Sequence, residues 1–387
     1  MRPDTRVPGF HRLPPGERRS AVFGGTAPEV DALLSSGGWC ETDADRWVED
    51  VVGALALPFS VAPNFVINGE PRWVPMVTEE PSVVAAAAHG AKLAAACGGF
   101  TCEAGEAVAT AQLQLVTGNP AAAWAVIEAH ADALVAGLLP LDPVLAAHGG
   151  GPFLLERGAV FEDELIVHLH LRTVDAMGAN AANTHAEALA PRLEALTGGT
   201  VVGRILTNAC PRRLTRATAE LPVAALAHGG LSGEAVADRM LRLARWAERD
   251  PLRAVTHDKG ILNGVLAVAL ATANDTRAVA MAAAAHACGP AGLRPLTVWS
   301  RSGDGLRLRC ELALPLPLGT VGGLTAAHPL VRRVLAALDL TSAARLCETA
   351  AACGLANHLA ALRALAGEGI QAGHMALHAR KGECAGP

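Results

Sequence analysis

Glu164-Leu165-Ile166-Val167-His168-Leu169-His170-Leu171-Arg172 reads as a β-strand, because Leu165, Val167, Leu169 and Leu171 recur at every second position. What surrounds it sets the fold class. Asp175–Leu196 has the composition of a helix, Gly198-Gly199 supplies its stop, and Thr200–Thr207 reads as a further strand. Upstream stand a strand at Val108–Val116, a helix at Pro120–Leu138 and the loop Gly149-Gly150-Gly151. Strands and helices alternating over about a hundred residues predict a compact α/β unit.

Further out, Asn64–Ile67, an Asn68-Gly69 turn and Arg72–Val77 fit strand–turn–strand. Pro81 is placed to open a helix over Ser82–Ala96, with Glu80 at its entrance. Earlier helices are expected near Pro28–Ser35 and ending near Val52. After Leu221 the pattern turns helical at Ser232–Glu248, Gly260–Ala273 and Arg277–Ala287. Strands follow near Thr297–Trp299 and Leu306–Leu314, then helices from about Leu330.

Composition narrows the function. The 387 residues suggest two or three domains, and a net charge of −5 argues against a nucleic-acid partner. There is no Tyr, which excludes a carbonyl reductase with a Tyr proton donor. Mean hydropathy is +0.29, yet the longest apolar runs, Gly264–Thr272 and Ala133–Leu141, fall short of the ~20 residues a spanning helix needs. No membrane association is expected. The N-terminus lacks the apolar core of a secretory signal, and the nine Cys show no CxxC pair. Reduced thiols and a cytoplasmic location are expected.

The chemistry-bearing residues are few. G-x-G-x-x-G is absent, and neither Gly149–Gly151 nor Gly319–Gly323 has that spacing. His168 and His170 share a strand face, and no Cys or carboxylate is spaced as an obvious third metal ligand. His374 and His378 are four apart, but Met375 replaces the glutamate of H-E-x-x-H, so no metal is expected at either pair. Lys259 and Asn263 share a face if their segment is helical, and Asp275 ends that segment. A structural ion pair and an active site both fit this pattern. Glu79 and Glu80 at a helix entrance fit dipole partners; a proton donor there needs a second carboxylate such as Asp275.

Five segments together resemble a known family. They are Val74–Ala87, Asp175–Asn180, Thr256–Gly264, Ala271–Asp275 and Gly373–Arg380. They match, in order, the motifs of soluble bacterial class II 3-hydroxy-3-methylglutaryl-coenzyme A (HMG-CoA) reductases. The resemblance runs from about Leu13 to Arg380. It implies an α+β fold in which a large mixed substrate-binding domain (1–105 and 208–365) carries an inserted, small, ferredoxin-like dinucleotide-binding domain (106–207). Residues 366–387 match the start of a C-terminal helical lid, and only Lys381–Pro387 follow Arg380 where family members continue.

The resemblance also implies an NAD(P)-dependent oxidoreductase that interconverts HMG-CoA with mevalonate and coenzyme A, without a metal, as a cytoplasmic homodimer with interfacial active sites. Its catalytic set falls on Glu80, Lys259, Asp275 and His374. Lys259 would stabilise the carbonyl oxygen, and Asp275 would hold Lys259 and raise the proton affinity of Glu80. Glu80 would protonate the aldehyde oxygen, and His374 the departing thiolate. Substrate contacts fall on Ser82, Asn208, Arg253 and Asn263, and cofactor contacts on Asp175, Met177, Gly178, Gly322 and Gly323. Asp142 matches an acid at the adenosine ribose, which favours NAD(H) over NADP(H). Asp258 stands where the family has Asn, putting another negative charge beside Lys259, and Asn357-His358 replaces a Gln-Asn pair. Two alternatives stay open: a biosynthetic NADP-dependent reductase, or a lid-truncated, weakly active homologue that binds coenzyme A esters.

Overall fold

The computed structural model describes residues 5–24, 28–38, 41–367 and 369. His374 and His378 lie outside the described residues. Two sheets organise the chain. The larger holds β1 (Phe59–Ile67), β2 (Glu70–Val77) and β3 (Phe100–Glu103) with three later strands. The smaller holds β4 (Val108–Val116), β5 (Gly151–Phe161), β6 (Glu164–Arg172) and β7 (Thr200–Thr207). The chain then returns to the larger sheet as β8 (Leu214–Pro222). After a two-residue hairpin, β9 (Cys288–Gly289) and β10 (Gly292–Leu293), it adds β11 (Thr297–Arg301) and β12 (Arg307–Pro315).

The larger sheet runs β11-β12-β8-β3-β1-β2, and β3 pairs antiparallel with β8. Departure and return points are therefore neighbours, which lets residues between them form a separate layer. That layer has the order βαββαβ and the strand sequence β5-β6-β4-β7, a ferredoxin-like topology. It has its own core: Leu165, Val167, Leu169 and Leu171 of β6 pack with Ala182, Leu189 and Leu193 of the helix Ala179–Thr197.

The second core is built on small residues. The helix Ala343–Ala366 packs against Pro251–Ala271 and Val83–Ala95 at glycines. A Cβ at Gly90 would lie 2.0 Å from Ala356 O, and one at Gly264 would lie 2.6 Å from Cys353 O. This close approach accounts for the Ala/Gly-rich sequence, and an added methyl at Gly264 costs about 1–3 kcal/mol by overpacking. Among the described residues no single helix is long and apolar enough to cross a membrane.

β4, β6 and β7 follow their expected ranges; the β1–β2 hairpin turns where expected, with Asn68 and Gly69 both at positive φ, but β1 starts at Phe59 rather than Asn64 and β2 at Glu70 rather than Arg72. Other expectations are corrected. The helix expected to end near Val52 is the short Glu41–Asp45. The apolar run Pro120–Leu138 breaks into two helices at His130. The helix expected from Asp175 begins at Ala179, after Gly178. That expected from Gly260 begins at Pro251, capped by Asp250. Pro81 does not open its helix: Ser82, at φ 75°, lies between it and the first turn at Val83.

Candidate active site

Glu80 and Lys259 meet across a cavity of about 510 Å³. β2 ends at Val77, and the Glu80 amide donates to Thr78 Oγ1 (3.1 Å), turning the chain so that Glu80 faces the helix Pro251–Ala271. On that helix Val255, Lys259, Asn263, Leu266 and Leu270 fall on one face at helical spacing, and all line the cavity. Lys259 Nζ lies 3.8 Å from Glu80 Oε2, with side-chain exposures of 62% and 41%. A pair so open to water contributes only about 0–1 kcal/mol to stability. The wall around it is apolar: Leu262, Ala283, Leu293 and Leu296 all contribute. An ammonium and a carboxyl are thus set side by side over a hydrophobic floor.

Asp275 borders this cavity through Thr276. Its carboxylate accepts from the Arg277 and Ala278 amides, capping the helix Thr276–Ala287, and pairs with the Arg277 guanidinium (3.2 Å) rather than with Lys259. Partial burial pushes the Asp275 acid up, but the hydrogen bonds from Arg277 and Ala278 outweigh it and hold the group below its ordinary value. Asp258, expected to add charge beside Lys259, is instead only 7% exposed. Its Oδ1 accepts from the Leu296 amide (2.9 Å), its Oδ2 is buried without a partner, and burial pushes its pKa up to about 7. Below that pH it therefore carries a proton where an acid on the surface would carry charge.

Of the expected substrate contacts, Asn263 lines the cavity with Glu80 and Lys259. Ser82 lines an adjoining groove of about 1320 Å³ that shares Val77 and Leu270 with the first. Charged residues on that groove, among the described residues, are basic: Arg6, Arg18, Arg19 and Lys92. Arg253 and Asn208 line neither cavity. Arg253 lies over the Trp246 ring (5.6 Å) with its Nε buried and unpaired, and Asn208 is exposed in the turn after β7.

The expected cofactor segment is locked in place by its own Asp175 and by Arg213 and Asn274, which sequence reasoning missed as site residues. Arg213 is 2% exposed, and its guanidinium donates to Ala176 O and Met177 O (both 3.2 Å), to Thr173 Oγ1 and to Leu318 O. Asn274 accepts from the Gly319 amide (2.8 Å) and donates to its carbonyl. Asp175 Oδ1 accepts from the Ala343 amide (2.7 Å), and its carbonyl accepts from Thr320 N. Val174 is held at φ 53°, a strained setting for a β-branched residue. Asn274 was within a quoted motif; Arg213, in an ordinary Pro-Arg-Arg turn, carried no local signal.

These ties present open backbone. Gly178 has φ 92° and no room for a side chain, since a Cβ would lie 2.2 Å from Thr173 Cγ2. It starts a 19-residue helix with no side-chain cap, so first-turn amides are left for an anion. Gly322 and Gly323, both at positive φ, have nothing within 4 Å of where a Cβ would stand. A pyrophosphate fits this setting. Asp142 Oδ1 caps the helix Pro143–Ala147 through the Leu145 amide (2.9 Å). Arg213→Met leaves three carbonyls without their donor, and should lower unfolding free energy by about 2–5 kcal/mol and raise the cofactor KM. Urea titration and steady-state kinetics check this.

Comparison with known proteins identifies the family. The family model for hydroxymethylglutaryl-coenzyme A reductase matches residues 15–379. The chain is 40% identical over 383 residues to the 3-hydroxy-3-methylglutaryl-coenzyme A reductase of Archaeoglobus fulgidus, covering 97% of this chain and 86% of that one. A class II reductase from Streptococcus pneumoniae, solved bound to NADPH in open conformations, superposes with a TM-score of 0.87 at 34% identity, over 92% of this chain and 99% of that one. Another structure of the S. pneumoniae enzyme gives 0.88 at 35% identity, covering 97% and 90%. The chain belongs to the hydroxymethylglutaryl-coenzyme A reductase family, NAD(P)-dependent oxidoreductases.

Proposed function

We propose that the Glu80–Lys259 cavity is the reducing centre of this enzyme, and that the chain is an NAD(H)-linked HMG-CoA reductase working between HMG-CoA and mevalonate. The overall change is HMG-CoA + 2 NADH + 2 H⁺ to mevalonate + coenzyme A + 2 NAD⁺, in either direction. The observation that carries the reading is the 3.8 Å Lys259–Glu80 pair, with Asn263 on the same wall.

The cofactor, when bound, supplies a hydride to the acyl carbon in each of two reductions. Lys259 stabilises the negative oxygen that develops both times. Glu80 protonates that oxygen in the second, as aldehyde becomes alcohol. His374 gives the proton to the departing thiolate. Asp275 takes up Lys259 after leaving Arg277; Arg277 is 88% exposed, so little holds the resting pair together. The coenzyme A arm lies in the basic groove beside Ser82, where Arg18, Arg19 and Lys92 meet its phosphates. Asn208 and Arg253 reach the acyl group from outside the cavity, Arg253 by gripping its free carboxylate.

Asp175, Met177 and Gly178 with Gly322 and Gly323 hold the pyrophosphate, within a cofactor unit at 106–207. Asp142 keeps Oδ2 outside its capping bond, and a carboxylate there accepts from a ribose hydroxyl and repels a 2′-phosphate. We read the enzyme as a cytoplasmic homodimer. Support for the dimer comes from exposed apolar side chains at the cavity, Val255 (49% exposed) and Leu270 (40%), and from Leu252 and Met281, exposed on the two helices that also line it.

A steady-state assay in both directions with both nicotinamides tests the reading. NAD(H) should be preferred, and Asp142→Ala should reduce the NAD(H)-to-NADP(H) ratio of kcat/KM by roughly tenfold or more. An unchanged ratio would remove Asp142 from the site. No turnover by folded dimer with either nicotinamide would defeat the assignment and leave a coenzyme A ester-binding homologue.

A further inference from the structure

On the face of the smaller sheet opposite its helices, β6 places His168 and His170 side by side, and β5 brings Glu156 directly across from His168. One potential ligand atom from each lies within 4.8 Å of the others. The spacing of Glu156 and the histidines in sequence conceals this; only the β5–β6 register creates it. We propose that Glu156, His168 and His170 form a site for a divalent transition-metal ion of the zinc class, separate from the Glu80–Lys259 cavity, which none of the three lines.

The surroundings suit coordination. His170 is buried, His168 half-buried and Glu156 exposed, so the site is anchored on one side and open to an entering ion on the other. Thr110 Oγ1 lies 2.9 Å from His170 Nδ1. If it accepts from that nitrogen, the Nε2 lone pair is left for a metal, the usual arrangement of a ligating histidine and its outer partner. His170 Nε2 already lies 2.8 Å from Glu156 Oε2. Bond lengths of ~2.0–2.2 Å place two ligands of a tetrahedral ion about 3.3 Å apart, so a small outward shift admits it. The ion replaces the proton shared by that pair.

Gly158 keeps the approach clear: a Cβ there would sit 3.0 Å from His168 Nε2. The Gln112 amide, 3.1 Å from that nitrogen, rotates away on binding. Arg212 is the opposing charge, donating to Glu156 Oε2 at 2.9 Å. It limits affinity, because it shares Oε2 with the ion, and after binding it orients the carboxylate from outside. Arg212 sits in the connection that also carries Asn208, between β7 and β8, so an ion here would tie the smaller sheet to that connection. Two histidines and a carboxylate with open positions are a recognised set for Zn²⁺, Co²⁺ and Fe²⁺.

The test is titration of the untagged, chelator-treated full-length chain with Co²⁺, followed by its visible d–d absorption, then displacement with Zn²⁺. One equivalent should produce the band. His168→Gln, at a half-exposed position, and Glu156→Gln should each weaken binding by more than tenfold with an unchanged thermal melt in the absence of metal. Thr110→Val should weaken it by roughly 10–100-fold through the outer contact. No band, equal affinity in parent, His168→Gln and Glu156→Gln, or a band lost only in the His374→Gln/His378→Gln double variant would overturn the proposal.

Discussion

Lys259→Ala is expected to lower kcat/KM for HMG-CoA reduction by roughly 10²–10³-fold, the usual cost of removing one group that stabilises a developing oxyanion. The same change should leave stability nearly untouched. Lys259 is 62% exposed and its contact with Glu80 is 3.8 Å long, so the fold loses about 0–1 kcal/mol at most. That split between activity and stability separates an active-site lysine from a structural ion pair, the two readings its sequence position admits. Coenzyme A-dependent reduction of NAD by mevalonate should fall in parallel, because both directions pass through the same transition states. Turnover within tenfold of the parent in a folded protein would place the reducing centre elsewhere.

What could be read from the sequence follows physical lines. β6 and the second half of β4 were legible because their buried Leu and Val alternate with less buried residues, β7 because a β-branched run follows the Gly198-Gly199 stop, and the β1–β2 hairpin because Asn-Gly tolerates two positive φ values. β8 was not, since three of its four inward residues are Thr215, Ala217 and Ala219, too small or too polar to mark a strand, and only Leu221 at its end is a large apolar one. β5 was hidden by Pro152, Gly158 and two breaks in its register. The helix Pro251–Ala271 was read nine residues short because its early buried face is His257 and Asp258 rather than Leu or Val. At the site, the spacing of Lys259 and Asn263 gave one wall. The partnership with Glu80 spans some 180 residues, and only the family motifs pointed to it. Arg213 and Glu156 act through pairings with no local sequence signature.

Asp258→Asn should make the protein more stable at pH 8, with the gain growing between about pH 4 and pH 7. In the unfolded chain this acid ionises near 3.8; burial against the Leu296 amide raises its pKa to about 7. Between those values the folded protein holds a proton that the unfolded chain has released. The stability linked to that proton is therefore full below pH 4 and is lost as pH rises through 7. Asparagine keeps an oxygen for the Leu296 amide and never ionises, so the loss is abolished. The expected gain at pH 8 is on the order of 2–4 kcal/mol, with parent and variant converging near pH 4. His257 slopes the other way: burial and Arg253 hold it to about 3, so its contribution is lost as pH falls below 6.5. That contribution is common to both proteins and cancels in their difference. Urea titrations of each at pH 4, 6 and 8 measure the gap, and a gap independent of pH would mean that Asp258 is ionised throughout and paired within the cavity.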